Sequence, residues 1–117
     1  ELIDLRGNKI HNIEIISKLT SLSDVLLTNN KIKSLKGLEN YKGKIYELHI
    51  DGNPLTIEGL SYIEKLCREE RITNLKIDRK VFKEYQYFSE YPEYLQWVDY
   101  IYFVENNGKI TEHHVEY

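Results

Sequence analysis

Few side chains in this sequence have the type and spacing that catalysis or metal binding requires. Cys67 is the single cysteine, and its position beside Leu66 in an apolar segment is typical of a core thiol rather than of a nucleophile. His113 and His114 are consecutive, and consecutive residues of a strand point to opposite faces, so this pair is poorly arranged for a shared metal ion. We find no glycine-rich phosphate loop and no combination of nucleophile, base and orienting group. We therefore predict a protein that is not an enzyme and holds no metal ion or cofactor.

A repeated apolar pattern organises the first part of the chain. In the segment from Leu22 to Leu35, apolar residues surround Asn30 with the spacing L-x-x-L-x-L-x-x-N-x-L. The same spacing recurs around Asn8, 22 residues earlier, and around Asn53, 23 residues later. A period in the twenties with this pattern indicates a leucine-rich repeat, in which each coil contributes a short strand and stacked coils share a core. Each asparagine is expected to bond backbone groups of adjacent coils from inside its turn.

The third and fourth coils depart from this pattern. After Asn53 we predict an α-helix of about three turns that opens at Thr56 or Glu58, because its apolar residues follow helical spacing: Leu60, Ile63, Leu66 and Cys67. A fourth strand, from Ile72 to Asp78, is predicted to follow. Lys80 then occupies the place of the next asparagine, which predicts that the repeats end there.

An aromatic segment from Val81 to Asp99 is predicted to cap the last coil. It resembles the terminal motif of intracellular leucine-rich repeat proteins such as phosphatase regulators, dynein light chains and acidic nuclear phosphoproteins. The matching positions, with a valine where the family usually has leucine, are Tyr85, Phe88, Pro92, Leu95, Val98 and Asp99. The resemblance implies an α/β leucine-rich repeat solenoid, a right-handed β–α superhelix with a parallel concave sheet and a C-terminal cap.

The tail departs from the family and reads as a β-hairpin around Asn107 and Gly108. A two-residue turn would place Val104 opposite Thr111 and Tyr102 opposite His113. The hairpin must dock on the cap, extend a sheet or pair with another molecule, because an isolated hairpin is marginally stable. We thus predict one domain, with about four coils in residues 1–80, the first truncated, and the cap and hairpin in residues 81–117.

Composition narrows the class of partner. A net charge of −3 argues against nucleic acid, and we find no apolar run of membrane-span length and no signal peptide. A single cysteine favours a reducing compartment, so we predict an intracellular protein, in the cytoplasm or the nucleus. The chain begins in the middle of a repeat and contains no methionine, which predicts a fragment of a longer protein.

The alternation of the four strands predicts which side chains line the concave face. Leu2 and Leu26 are expected to be exposed and adjacent there, either as an apolar anchor or as incidental surface leucines. Several tyrosines between Tyr85 and Phe103 are also expected to be accessible. The predicted concave face carries five acids and two bases among Leu2, Asp4, Arg6, Asp24, Leu26, Thr28, Glu47, His49, Asp51, Asn74, Lys76 and Asp78.

These features favour a non-enzymatic protein-binding module with an adaptor, targeting or regulatory role. Its partner would carry a basic or mixed patch and meet the acidic face near Leu26, His49 and Asp51. Two alternatives stay open: an immunity or inhibitor protein that covers a basic toxin or nuclease, and the substrate-recognition fragment of a larger enzyme. Self-association through the Tyr100 to Tyr117 hairpin is a further prediction.

Overall fold

The computed structural model describes residues 2–19 and 21–114, which form an α/β domain around one six-stranded, mostly parallel sheet. The first five strands are mutually parallel, the sixth is antiparallel to the fifth, and their spatial order follows the chain. Glu1, where the predicted first coil begins, and residues 115–117 of the predicted hairpin segment lie outside the described residues. The strands are β1 Leu2–Asp4, β2 Asp24–Leu26, β3 Ile45–His49, β4 Ile72–Asp78, β5 Tyr100–Val104 and β6 Ile110–His114.

Three α-helices and three 3₁₀ turns connect the strands. The α-helices are α1 Ile57–Ser61, α2 Glu64–Arg68 and α3 Arg79–Phe88, and the 3₁₀ turns are Glu14–Lys18, Leu38–Asn40 and Tyr94–Trp97. The first two connections, from β1 to β2 and from β2 to β3, therefore use 3₁₀ turns and irregular chain. The third and fourth carry the helices. This division matches the spacing of apolar residues, which is helical only from the third connection onward.

One apolar row crosses the parallel part of the sheet and forms the centre of the core. The pairing register aligns Ile3, Val25, Leu48, Leu75 and Ile101 on neighbouring strands. Ile3 is partly buried and the other four are buried. Apolar residues of the connections pack behind this row and close the core, including Ile13, Ile16, Leu35, Leu38, Leu60 and Leu66.

The predicted asparagine contacts are confirmed for Asn30 and Asn53, which are both buried. Asn53 Oδ1 accepts hydrogen bonds from the backbone N–H groups of Asn30 and Ile32, each at 3.2 Å, and its Nδ2 donates to Leu27 O at 2.9 Å. Asn30 likewise donates from Nδ2 to Leu5 O at 2.9 Å, in the preceding coil. The amides thus satisfy backbone groups of two consecutive coils.

Asn8 differs from these two because it is exposed. Its Nδ2 donates to Leu5 O and Arg6 O within its own turn.

The predicted three-turn helix is wrong, because the segment forms two short helices instead. Thr56 does cap the first helix, with its hydroxyl oxygen accepting from Gly59 N–H at 2.9 Å. A continuous α-helix would then bond Ile63 N–H to Gly59 O. That carbonyl instead accepts from Leu35 N–H of the preceding coil at 3.0 Å, and Ile63 N–H bonds Leu60 O. The contact between coils therefore breaks the helix between α1 and α2.

The prediction that the repeats end at Lys80 is also wrong with respect to the sheet. A fifth parallel strand, β5, follows β4. Residues from Asn74 to Asp78 of β4 pair with residues from Tyr100 to Val104 of β5. The segment predicted to cap the last coil is the crossover between these strands, and such parallel connections need a dozen or more residues. Asp78 Oδ2 accepts from Gly52 N–H at 2.9 Å, so the end of β4 is still tied to the turn that follows β3.

Most of the residues predicted to form the cap are buried or partly buried. Tyr85, Leu95 and Val98 are buried, and Pro92 is partly buried. Phe88, however, is 65% exposed, because it lies to one side of the buried stripe of α3. Asp99 is exposed as well, although its backbone N–H donates to Thr73 O at 2.9 Å and so aligns β5 with β4.

The tail forms the predicted hairpin and uses it to extend the sheet, but the predicted register is wrong by one residue. Val104 faces Ile110 and Tyr102 faces Glu112. The loop has three residues, 106–108, because Gly108 adopts a φ of +84° and its N–H bonds Glu105 O. A shift of one residue exchanges the two faces of β6, so Ile110 and Glu112 lie on the side away from the core.

Arg79 joins the hairpin to α3. Its Nη2 lies 3.0 Å from Glu105 Oε2, and its guanidinium carbon lies 3.9 Å from the centre of the Phe103 ring. Hydrogen bonding to Arg79 lowers the pKa of the Glu105 carboxyl below its usual value. The start of the hairpin is therefore docked on the helix that precedes it.

Candidate functional site

The side of the sheet opposite the core, here called the open face, carries the strand residues that the sequence predicted for binding. Two rows of paired residues cross it. The first row consists of Leu2, Asp24, Glu47, Asn74 and Tyr100, and the second consists of Asp4, Leu26, His49, Lys76, Tyr102 and Glu112. The structure thus brings together residues that lie more than 100 positions apart in the sequence.

The predicted exposure of Leu26 is wrong. Only 9% of its surface is exposed, whereas Leu2 is 54% exposed. The two leucines are also not paired, because Leu2 aligns with Asp24, and Leu26 lies between Asp4 and His49. Neighbouring strands about 4.8 Å away on both sides shield the Leu26 side chain. Leu26 is therefore part of the floor of the open face rather than an exposed anchor.

The predicted residues at the carboxyl ends of the strands are largely engaged with one another. Thr28 donates from Oγ1 to Asp51 Oδ1 at 2.8 Å, and Lys76 Nζ lies 3.8 Å from Asp51 Oδ2. Asp51 is only 5% exposed. Burial raises the pKa of Asp78 above its usual value, and the hydrogen bond from Gly52 N–H partly offsets that shift. These side chains hold the edge of the face in place.

Arg6 belongs to the far end of the open face. It is exposed and binds Asp4 through Nε and Nη2, at 2.8 Å and 2.7 Å. This contact lowers the pKa of Asp4 and raises that of Arg6. Both basic residues predicted for the face, Arg6 and Lys76, therefore lie close to acids of the same face. The excess negative charge remains available to a partner.

A depression of about 260 Å³ lies where β3, β4, β5 and β6 meet on the open face. Its lining residues are Glu47, His49, Lys76, Tyr102 and Ile110. His49 Nε2 lies 3.6 Å from Glu47 Oε2, and the Tyr100 and Tyr102 rings stack with their centres 6.4 Å apart. Burial raises the pKa of Tyr102, and the nearby carboxylates of Glu112 and Glu47 add to this shift. Its hydroxyl is therefore a neutral hydrogen-bond donor at ordinary pH.

Sequence reasoning missed the contribution of the hairpin to this face. Tyr100 and Tyr102 were expected among the accessible aromatic residues, and Ile110 and Glu112 within the hairpin predicted to self-associate. None of the four was assigned to the open face, because the repeats were expected to end at Lys80. The signal that could have found them is the alternation of tyrosine with Ile101 and Phe103 in the run from Tyr100 to Val104, which is typical of a strand with one buried side.

The residues considered for catalysis are not brought together. Cys67 is fully buried, and burial followed by the charge of Glu64 raises the pKa of its thiol far above the usual value. A thiol in that state is a poor nucleophile. Within residues 2–19 and 21–114, no cluster of three or more His, Cys, Asp or Glu side chains is arranged to hold a metal ion.

A second accessible surface lies on α3 and the segment that follows it, where the sequence predicted accessible tyrosines. Tyr87 is 82% exposed and Tyr91 is 48% exposed, which confirms that several tyrosines remain accessible. Phe88 and Trp97 are also exposed, at 65% and 38%. This surface is formed by α3 and the segment that follows it, away from the open face.

No protein-family model matches the chain, and no curated protein or solved structure matches it. None of the helices in the described part of the chain has the length and apolar character needed to cross a bilayer. The geometry of the two surfaces is therefore the basis for inferring a function.

Proposed function

We propose that this chain is a non-enzymatic protein-binding module of the leucine-rich repeat type, with an adaptor, targeting or regulatory role. The partner would be a protein with a basic or mixed patch that covers the open face. The observation that carries the proposal is the acidic excess of this face around a depression lined by charged and aromatic residues. Such a face steers a basic partner by long-range attraction, and its half-buried aromatic rings supply contact area after the encounter.

The asparagine contacts support the repeat architecture in this proposal. Asn30 and Asn53 occupy equivalent turns and bond backbone groups of adjacent coils in the same way. Equivalent strand residues of β1, β2 and β3 pair directly, so each coil stacks on the next without a shift. Stacked coils of this kind present one continuous face for binding. The single buried thiol favours a reducing compartment, and we extend the proposal to an intracellular location.

Substitutions on the exposed part of the open face test the proposal. The double variant Asp24→Lys/Glu112→Lys reverses two charges at opposite ends of the face, and Tyr102→Ala removes one wall of the depression. Leu26→Arg is unsuitable, because a charge at a side chain that is only 9% exposed would perturb folding as well as binding. Glu84→Lys makes the same charge reversal on the exposed side of α3 and serves as the matched control.

The measurement is affinity capture from lysate of the source cells, followed by calorimetric titration of each variant with the captured protein. We expect the Asp24→Lys/Glu112→Lys and Tyr102→Ala variants to weaken binding at least tenfold, and Glu84→Lys to leave it unchanged. The attraction should also weaken as salt is raised, because exposed charges are screened. Undiminished binding by folded open-face variants would exclude this face as the binding surface.

A further inference from the structure

A separate cleft of about 350 Å³ lies between α1, α2 and the end of α3. Ile57, Phe88 and Tyr91 form its apolar walls, and three carboxylates line it, those of Glu58, Glu64 and Glu90. Ser61 and Ser89 complete the lining, so none of its lining residues is a lysine or arginine. Its volume is at the lower end of the range for ligand sites, which suits one side chain rather than a large ligand.

Buried Tyr85 holds two walls of this cleft in position. Its hydroxyl donates to Glu64 Oε1 at 2.5 Å and lies 2.9 Å from Tyr91 O. Burial and the bond to Glu64 raise the pKa of Tyr85, so the phenol stays protonated and remains a donor. Ser89 Oγ also accepts from Tyr91 N–H at 3.1 Å. The carboxylate of α2 and the backbone of Tyr91 are therefore fixed before any ligand arrives, which reduces the entropy lost on binding.

The ring that stacks on Tyr91 already pairs with one arginine of the chain. The Tyr91 and Tyr94 rings stack with their centres 5.2 Å apart and their planes at 4°. The guanidinium carbon of Arg68 lies 5.4 Å from the centre of the Tyr94 ring, in a neighbouring depression that shares Ser61, Glu64 and Tyr91 with the cleft. Nearly half of Tyr91 remains exposed, so it can receive a second cation.

We propose that this cleft binds an arginine side chain presented by a protein partner. The apolar walls would contact the aliphatic stem, while Glu58, Glu64 and Glu90 supply the opposite charge. Arginine fits better than lysine because its planar guanidinium is weakly hydrated, stacks on aromatic rings and bonds carboxylates through two N–H groups. This site lies apart from the open face and does not depend on the function proposed for that face.

An NMR titration with capped Gly-Arg-Gly, in the millimolar range, tests the proposal directly. We expect saturable shifts of the backbone amides of residues 57–61 and 88–91. The capped citrulline peptide has the same shape without the charge and should bind at least tenfold more weakly. Glu58→Gln/Glu90→Gln should weaken arginine binding at least tenfold. Tyr46→Ala removes a tyrosine ring that is exposed to a similar extent as Tyr91 but does not line the cleft, and it should have no effect.

Three results would overturn this inference. They are equal affinity for the arginine and citrulline peptides, undiminished binding by the folded Glu58→Gln/Glu90→Gln variant, and shifts confined to the open face. The first two results do not bear on the open-face proposal, whereas the third would agree with it. The Asp24→Lys/Glu112→Lys variant tests the open face separately.

Discussion

At the scale of single residues, this protein uses polar side chains mainly to hold its turns. Asn53 bonds two backbone N–H groups and Leu27 O of the preceding coil, and Asp78 bonds Gly52 N–H. Burying the amide and burying the carboxylate have different costs in free energy. A neutral amide is buried without loss when its bonds are made, whereas a carboxylate loses hydration.

Asn53→Ala is therefore expected to destabilise the protein severely. The substitution leaves the N–H groups of Asn30 and Ile32 without their acceptor in a buried turn, and we expect a loss of about 2–5 kcal/mol in the free energy of unfolding. Asn8→Ala is the matched control, because Asn8 is exposed and bonds only its own turn; its loss should be much smaller. Urea denaturation of both variants measures the difference, and equal losses would contradict the role of burial.

Asp78→Asn should change the pH dependence of stability. Because the pKa of Asp78 is raised in the folded protein above its unfolded value near 3.8, ionisation favours unfolding. The contribution of Asp78 to stability is present below that pH and is lost as the pH rises through its folded pKa. The stability of wild type relative to Asp78→Asn should thus decrease between pH 3 and pH 7. Urea denaturation of both proteins at pH 3 and pH 7 checks this. A wild type that gains stability relative to Asp78→Asn as the pH rises would refute it.

At the scale of elements, contacts between neighbouring connections override local preference. The third connection has the apolar spacing of one long helix, yet Leu35 N–H bonds the carbonyl of Gly59 and interrupts it. Gly59 is the point of closest approach, since a Cβ there would lie 2.1 Å from Lys33 O. α1 can therefore pack this close to Lys33 because Gly59 has no side chain.

Gly59→Ala is therefore expected to destabilise the protein, although a change from glycine to alanine usually stabilises a helix. Alanine normally stabilises a helix by about 1 kcal/mol over glycine. Here the added Cβ meets backbone, which must move, so we expect a net destabilisation of about 1–3 kcal/mol. Ser61→Ala in the same helix should change stability far less. Thermal unfolding followed by circular dichroism measures both, and a higher midpoint for Gly59→Ala would disprove the close approach.

At the scale of the whole molecule, the hairpin is part of the fold rather than an appendage. Ile101 and Phe103 of β5 are buried, and the Phe103 ring packs edge-on against Phe82 of α3 at 5.0 Å. β6 then forms the outer edge of the sheet and contributes Ile110 and Glu112 to the open face. Predicted self-association through this segment would have to occur at that edge, where backbone groups can pair with another strand.

Deletion of all residues after Asp99 should therefore abolish cooperative folding. The truncation removes β5 and exposes the apolar side of β4, including Leu75, which is buried in the full chain. We expect loss of the unfolding transition in circular dichroism and increased binding of a hydrophobic dye. A truncated chain that unfolds at the same urea concentration as the full chain would show that the hairpin is dispensable. It would then be suited to a purely intermolecular role.

The parts of the fold that depend on short-range spacing could be predicted from the order of the residues alone. The strand from Ile72 to Asp78, the cap at Thr56 and the turns around Asn30 and Asn53 follow from residue types within about ten positions. The open-face positions on β1 to β4 followed as well, because alternation along a strand assigns its two sides.

Features that depend on distant segments followed from the packing of the folded chain and could not be predicted from the sequence. The burial of Leu26 depends on strands on both sides, and the division between α1 and α2 depends on a hydrogen bond from Leu35. The fifth parallel strand required α3 to act as a crossover, and the register of β6 turned on Gly108 adopting a positive φ. Long-range pairing selects among locally similar conformations of nearly equal energy, so spacing along the chain could not determine these outcomes.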